Sequence, residues 1–454
     1  MLKRVFLLAF AAAAVTGAFA QKRTVELTLD KAVAIALDDN PTIKIADLDI
    51  ERYDYVKKQS ESSLWPSLSG TAGYTRSIVQ QTMSGLKFGA DNTFSGGLAL
   101  SVPIIAPGIW RNVSLSKEQM VGAVESARGS RIELVASVKD TYYQVLLMRQ
   151  SIEVLQANET SVAATVNDIQ QKYNSGLASE FDLISAQVQL SNFHPQIIEA
   201  QNGLQSLTML LKMYLNLPAD VEVVADGTLE EMKNAALASQ NGLPTDLSQN
   251  SNLRMLDIQK DVLERQLKLV NSQRMPTLAA FGQAQLIGMD NRQIDFATMM
   301  GSVADYWGLP PLPSTPPSKY TYNWQNPVSV GLSLSVPIFA GRTIDWQARQ
   351  VQTGLKQIEL QKQYAEQGMN LQLTNAINSM AAASDKMAAN GKVVEQAQRG
   401  YSIAKVRYGS GAGTMLELSN AENLLTQAQL NYNSSIYDFL SARTIYEKTT
   451  GIEK

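Results

Sequence analysis

The chain has no cysteine and a single histidine, His194, among its 454 residues. Without cysteine there are no disulfides, thiolate metal sites or catalytic thiols. One histidine excludes a histidine-cluster metal centre and a histidine-based triad within one chain. No metal site and no cofactor is therefore expected. No Gly-x-x-x-x-Gly-Lys-Ser/Thr phosphate loop occurs, so hydrolysis of nucleotide through that motif is excluded. Charge of one sign is also lacking: the net charge is −3, which argues against a nucleic-acid partner. Beyond the first twenty residues no stretch reaches the ~18 uninterrupted apolar residues of a membrane-spanning helix. With 45% apolar and 18% charged residues the chain is neither disordered nor a polytopic helical membrane protein.

The N-terminus is informative. Lys3 and Arg4 precede an apolar run from Val5 to Val15, followed by Ala18-Phe19-Ala20. This order reads as a secretory signal peptide over 1–20. An exported, cysteine-free chain without a helical anchor is periplasmic, secreted or in an outer membrane.

Beyond the signal the chain reads as a tandem repeat. Leu100-Ser101-Val102-Pro103-Ile104-Ile105-Ala106 recurs as Leu334-Ser335-Val336-Pro337-Ile338-Phe339-Ala340, at an offset of 234 (residue 100 to 334). Lys172-Tyr173-Asn174-Ser175-Gly176 recurs as Arg407-Tyr408-Gly409-Ser410-Gly411. Trp65-Pro66-Ser67-Leu68 recurs as Met275-Pro276-Thr277-Leu278. The organisation expected is a first repeat over 21–217, an irregular equatorial linker over 218–252, and a second repeat over 253–454. The second repeat carries an exposed proline-rich loop over 288–323.

Each copy carries two stretches that alternate with period two: Ser67–Arg76 and Phe94–Pro103, then Thr277–Leu286 and Pro327–Pro337. One face is apolar. The other is mostly Ser, Thr, Gly and Gln, with almost no charge. About ten such residues suit a tilted strand with one face on lipid and one on a wet lumen. Tyr320, Tyr322 and Trp324 share the phase of the apolar face, as an interfacial girdle would. Four strands cannot close a barrel, and open edges are not tolerated in lipid, so a spanning reading forces oligomerisation.

Each copy also predicts a helical hairpin. Leu373, Met380, Met387, Val394, Tyr401 and Tyr408 keep a strict heptad, and Val138, Val145, Ile152, Glu159, Val166 and Tyr173 keep the same one. The helix after Ala340 spans roughly 65 residues, or ~100 Å. Leu418, Ala421, Leu425, Ala428 and Tyr432, and likewise Leu183, Ala186, Leu190, Phe193 and Ile197, continue after a break. The breaks read Tyr-x-x-Gly-x-x-Ser/Thr-x-x-Asp/Glu: Gly176 and Gly411 end one helix, Ser179 and Thr414 cap the next, and Asp182 and Glu417 complete capping boxes. Pro103 and Pro337 mark strand-to-helix corners. Shorter helices are expected at about 42–63 and 253–273. His194-Pro195 reads as a kinked or capped position, and the sixteen methionines read mainly as core.

These landmarks, with Asn40-Pro41 of the first helix, resemble the TolC-like outer-membrane efflux proteins over essentially the whole chain beyond the signal. The resemblance implies a mainly α fold with a small β part: a homotrimer with a twelve-stranded β-barrel in the outer membrane and a hollow α-barrel crossing the periplasm. It implies a passive exit duct rather than an enzyme, met by a periplasmic adaptor and an inner-membrane pump. Tyr173, Gly176, Asp182, Tyr408, Gly411, Glu417 and Asn420 match the family's periplasmic gate. Some members carry an arginine where Gly413 stands and an aspartate where Asn420 stands. A type I protein-secretion duct and a non-conducting trimeric coiled-coil surface protein are the alternative readings.

Overall fold

A computed structural model describes residues 24–79, 81–83, 86–88, 90–238, 246–290, 308 and 322–452. The expected signal peptide, Tyr320 and nearly all of the proline-rich loop lie outside the described residues. The chain divides into two compact units, one of residues 52–121 and 259–357, the other of 1–51, 122–258 and 358–454.

The first unit is organised by strands. β2 (Ser67–Arg76) pairs antiparallel with β5 (Asn92–Ile105), β5 with β7 (Thr277–Asp290), and β7 with both β8 (Tyr322–Gln325) and β9 (Val328–Ser335). A separate hairpin joins β3 (Gln81–Met83) to β4 (Leu86–Phe88). The register makes the sequence alternation physical. Leu68 opposes Leu100, Leu100 opposes Gly282, and Gly282 opposes Val330, so one face runs apolar across all four strands. The other aligns Ser69 with Ala99 and Gln283 with Ser329. The apolar face stays outside: Val330 is 84% and Leu332 67% exposed.

The last strand differs from expectation at both ends. Gly288 pairs with Trp324 and Ala284 with Val328, which is one register, so β8 and β9 form a single interrupted strand. Pro327 between them has no N–H for the ladder, although its carbonyl accepts from Gln285 N–H at 2.9 Å. The strand expected to reach Pro337 stops at Ser335. β5 instead runs through Pro103 to Ile105, with a register shift after Pro103. At the far end the rings of Tyr74, Phe94, Tyr322 and Trp324 form a row with centroid spacings of 4.9, 5.4 and 6.5 Å. Glycine lets two rings lie on the sheet: a Cβ on Gly288 or Gly331 would come within 2.8 Å of Trp324 or Phe281. Near the helices Val270, Ala348 and Val351 are buried with Leu263, Leu267 and Ile344 against them.

The second unit is helical. α3 (Pro107–Asn174) and α4 (Glu180–Tyr214) form one hairpin, α7 (Thr343–Gly409) and α8 (Met415–Thr450) another. The described residues also form α1 (Leu29–Asp39), α2 (Pro41–Ser62), α5 (Leu229–Ala238) and α6 (Ser251–Ser272). α2, α3, α6 and α7 contribute residues to both units. Heptad positions Val138, Val145, Ile152, Leu373, Met380, Met387 and Tyr401 are buried. Pro195 stands inside α4 without ending it.

The stretch 218–252, expected to be irregular, carries α5 and a strand, β6 (Glu222–Ala225), parallel to β1 (Thr24–Leu27). Tyr142 explains why this short pair holds. Its ring is fully buried, and its hydroxyl lies 2.8 Å from Leu27 O and 2.5 Å from Asp226 O, one carbonyl from each side of the pair. At the chain's end, Gly451 has φ 76° and a Cβ there would sit 2.1 Å from Gln249 O, so only glycine fits.

Candidate functional site

The two hairpin tips are built by the same local chemistry. In the first, Leu177 N–H donates to Lys172 O at 2.7 Å and Gly176 N–H to Tyr173 O at 2.9 Å, with Gly176 at φ 73°. In the second, Ala412 N–H donates to Arg407 O at 2.9 Å and Gly411 N–H to Tyr408 O at 3.1 Å, with Gly411 at φ 74°. Both are the crossed pair of bonds that closes a helix on a left-handed residue.

The caps differ. Ser179 Oγ accepts from Asp182 N–H at 3.1 Å, and the Asp182 carboxylate accepts from Ser179 N–H at 3.4 Å and from its hydroxyl at 2.7 Å. This capping box is complete. In the second tip Thr414 Oγ1 accepts from Glu417 N–H at 3.2 Å. The Glu417 carboxylate does not return to the cap among the described contacts. It lies 3.7 Å from the Arg407 guanidinium, which also donates to Ala412 O at 3.1 Å. So the expectation of two equal boxes is corrected: the second carboxylate is drawn to a cation. Gly413 makes room for this, since a Cβ there would stand 3.1 Å from both Arg407 Cβ and Glu417 Oε2. Arg407 occupies the space a side chain at 413 would need.

The structure brings residues of both tips together. Ile169 and Leu183 of the first hairpin pack with Tyr401, Met415, Leu418 and Leu425 of the second, and Tyr408 lies against that cluster. The Lys172 ammonium stands 5.0 Å from the centroid of the Tyr408 ring and 2.8 Å from Asp168. Burial first, then the Asp182 and Asp168 carboxylates, push the Tyr408 hydroxyl above the usual phenol range. Tyr173 is exposed instead, and Asn420 and Glu417 are exposed on α8. Leu177 and Phe181, 80% and 77% exposed, present apolar side chains at the first tip.

One residue escapes sequence reasoning. The apolar spacing places Ala421 in the α8 seam, yet Glu422 is the buried residue there, 1% exposed, and Ala421 is only partly buried. Glu422 Oε2 accepts from Gln189 Nε2 at 3.2 Å, Ser419 donates to Gln189 Oε1, and Glu422 Oε1 is buried with no hydrogen-bond partner. Burial pushes the Glu422 carboxyl up to about 7, against the pull of Ser161 and Lys405. The signal was available: Met415, Leu418, Glu422 and Leu425 keep 3,4 spacing, with an acid in a core slot.

Among the described residues no group of three or more His, Asp or Glu side chains could hold a metal ion. No described helix is long and apolar enough to cross a membrane. The arrangement packs the two helical hairpins against each other beside their tips.

A family model described as "Outer membrane efflux protein" matches residues 32–215 and 243–445. The chain is similar to outer membrane protein TolC of Escherichia coli (strain K12), 20% identical over 405 residues, covering 88% of this chain and 77% of that one. It is similar to alkaline protease secretion protein AprF of Pseudomonas aeruginosa, 21% identical over 414 residues, covering 90% and 81%. Among solved structures the fold is similar to that of the Campylobacter jejuni CmeC outer membrane channel, with a TM-score of 0.72 at 17% identity, covering 93% of this chain and 85% of that one.

Proposed function

The chain belongs to the outer membrane efflux protein family, and on that premise we propose that it is the outer-membrane exit duct of a tripartite efflux or secretion system. It resides in the outer membrane. The observation that carries the reading is the open sheet. Among the described residues β2 and β9 have no further partner strand on their outer edges, and the apolar face they share is exposed. In lipid every backbone polar group needs an internal partner, so such a sheet must close on other copies of itself.

Three copies donate four strands each to a twelve-stranded barrel, wide enough for a wet lumen, where eight strands would leave only a packed interior. The nearly charge-free Ser, Thr and Gln face lines it. The helical hairpins form a hollow wall through the periplasm. With the short β3–β4 hairpin set aside and β8 and β9 counted as one interrupted strand, the order helix, strand, strand, long helix, shorter helix runs from α2 to α4 and again from α6 to α8, and this supports a duplicated unit. The duct works with a periplasmic adaptor and an inner-membrane pump that supplies the driving force. It performs no catalysis and holds no cofactor. A duct for secreted proteins is the second reading, favoured by the likeness to AprF.

The tips are the gate. Tyr173, Gly176, Asp182, Tyr408, Gly411, Glu417 and Asn420 lie at or beside the two turns, and Arg407 takes the place of a cation at 413 in holding Glu417. Opening separates the hairpins, and partner contact stabilises the open arrangement. Single-channel recording of the purified protein in planar bilayers tests this. The wild type is expected to conduct weakly, and Asp182→Ala with Glu417→Ala to conduct more. Equal currents would reject the tips as gate, and silence from both would favour a non-conducting surface protein.

A further inference from the structure

Glu422 lies where all four helices of the two hairpins meet. It belongs to α8. Gln189 reaches it from α4, and Ser419 of α8 occupies the Gln189 carbonyl oxygen so that the amide N–H₂ group is turned toward the carboxyl. From α3 comes Ser161, whose hydroxyl is bonded at 2.8 Å to that of Tyr401 on α7. The charged group bearing on it is Lys405 of α7, and Lys405 Nζ stands 5.7 Å from the centroid of the Tyr401 ring. Tyr401 is the other titratable neighbour. Above and below lie apolar layers: Ile169, Leu183, Met415 and Leu418 on one side, Phe193 and Ile197 on the other.

A carboxylate here would hold a full charge against only the Gln189 amide and the pull of the Ser161 hydroxyl, with Oε1 buried and lacking a close hydrogen-bond partner. That is costly, and a neutral carboxyl is far cheaper. The cost vanishes when the hairpins separate and water reaches the group. Packing of the hairpins and protonation of Glu422 are therefore one linked equilibrium.

We propose that Glu422 is a proton-linked latch, protonated while the hairpins are packed and releasing its proton to water as they separate. The inference rests on the reading of the tips as a gate for its consequence, not for the linkage itself. The sign follows from the acid being harder to ionise when packed. Below its ordinary value of 4.5 the packed state has its full stability, and this is lost as pH rises to about 7. Within that window the equilibrium moves toward the separated state by at most about tenfold per pH unit. Acid latches the tips, and neutral or alkaline conditions loosen them.

The test is hydrogen exchange of the full-length protein in lipid nanodiscs at pH 5, 6, 7 and 8, corrected for the intrinsic pH dependence of exchange, read over peptides from 155–169 and 415–428. The wild type should open progressively between pH 5 and 7 and then level off. Glu422→Gln and Glu422→Met, which carry no proton to release, should be flat; two variants guard against one that packs poorly. A wild type without pH response, or variants that respond like it, would overturn the latch. Conductance recorded on the same samples separates the two readings. Proton-linked exchange with pH-blind conductance keeps the latch and rejects the gate, whereas both responding together supports both.

Discussion

Replacing Val330 with arginine probes whether the apolar face of the sheet meets lipid. Val330 is 84% exposed, so in water the change would remove almost no packing and cost within about 0.5 kcal/mol, as at an ordinary surface site. A bilayer changes the estimate through depth. On the proposed barrel the row of Tyr74, Phe94, Tyr322 and Trp324 would lie at one interface. From Trp324 to Val330 the strand advances ~20 Å at about 3.3 Å per residue. A tilt of about 40° reduces that to ~15 Å of depth, close to the middle of a ~25–30 Å apolar band. There an arginine costs ~2–4 kcal/mol per chain. Leu334, ~10 Å deeper, nears the opposite interface, where the cost falls to ~0–1 kcal/mol. Ser333, on the other face, should accept arginine. Equilibrium urea unfolding in lipid vesicles, with gel-shift assembly as a check, reads these differences. Val330→Arg should be the weakest, Leu334→Arg intermediate and Ser333→Arg near wild type. Equal stability of all three would refute the placement of this face in lipid.

Other outcomes concern the helical unit. Tyr142→Phe leaves the carbonyls of Leu27 and Asp226 without their shared donor, and thermal unfolding should show a loss of ~1–3 kcal/mol. Met387→Ala removes a side chain 7% exposed in the heptad seam, with an expected loss of ~2–4 kcal/mol by the same assay. Gly411→Ala places a side chain at φ 74° in open space, so it should cost only the left-handed strain of ~1 kcal/mol, seen as faster hydrogen exchange confined to the second tip.

Much of the fold was legible because period and punctuation are local. The alternation of Ser67–Arg76 located β2 to the residue, since a strand with one apolar and one polar face must alternate. The positive-φ glycines and their Ser and Thr caps located the tips, because few residues tolerate those backbone angles. The parallel pair of β1 and β6 was not legible. Each strand has four residues, and the partners are set by a tyrosine far away in sequence. The asymmetry of the caps was also hidden, since the draw of Arg407 on Glu417 depends on which way the last turn of α7 faces. Glu422 was hidden because Ala421 fits the apolar expectation better, and only packing decides which of the two adjacent positions turns inward.

The central claim is that this sheet is completed by copies of itself. Native mass spectrometry of the protein extracted from outer membranes in detergent measures it directly. A complex of three chains, resistant to dilution, is the result the account predicts. A stable monomer, or an assembly whose copies do not supply twelve strands, would contradict it.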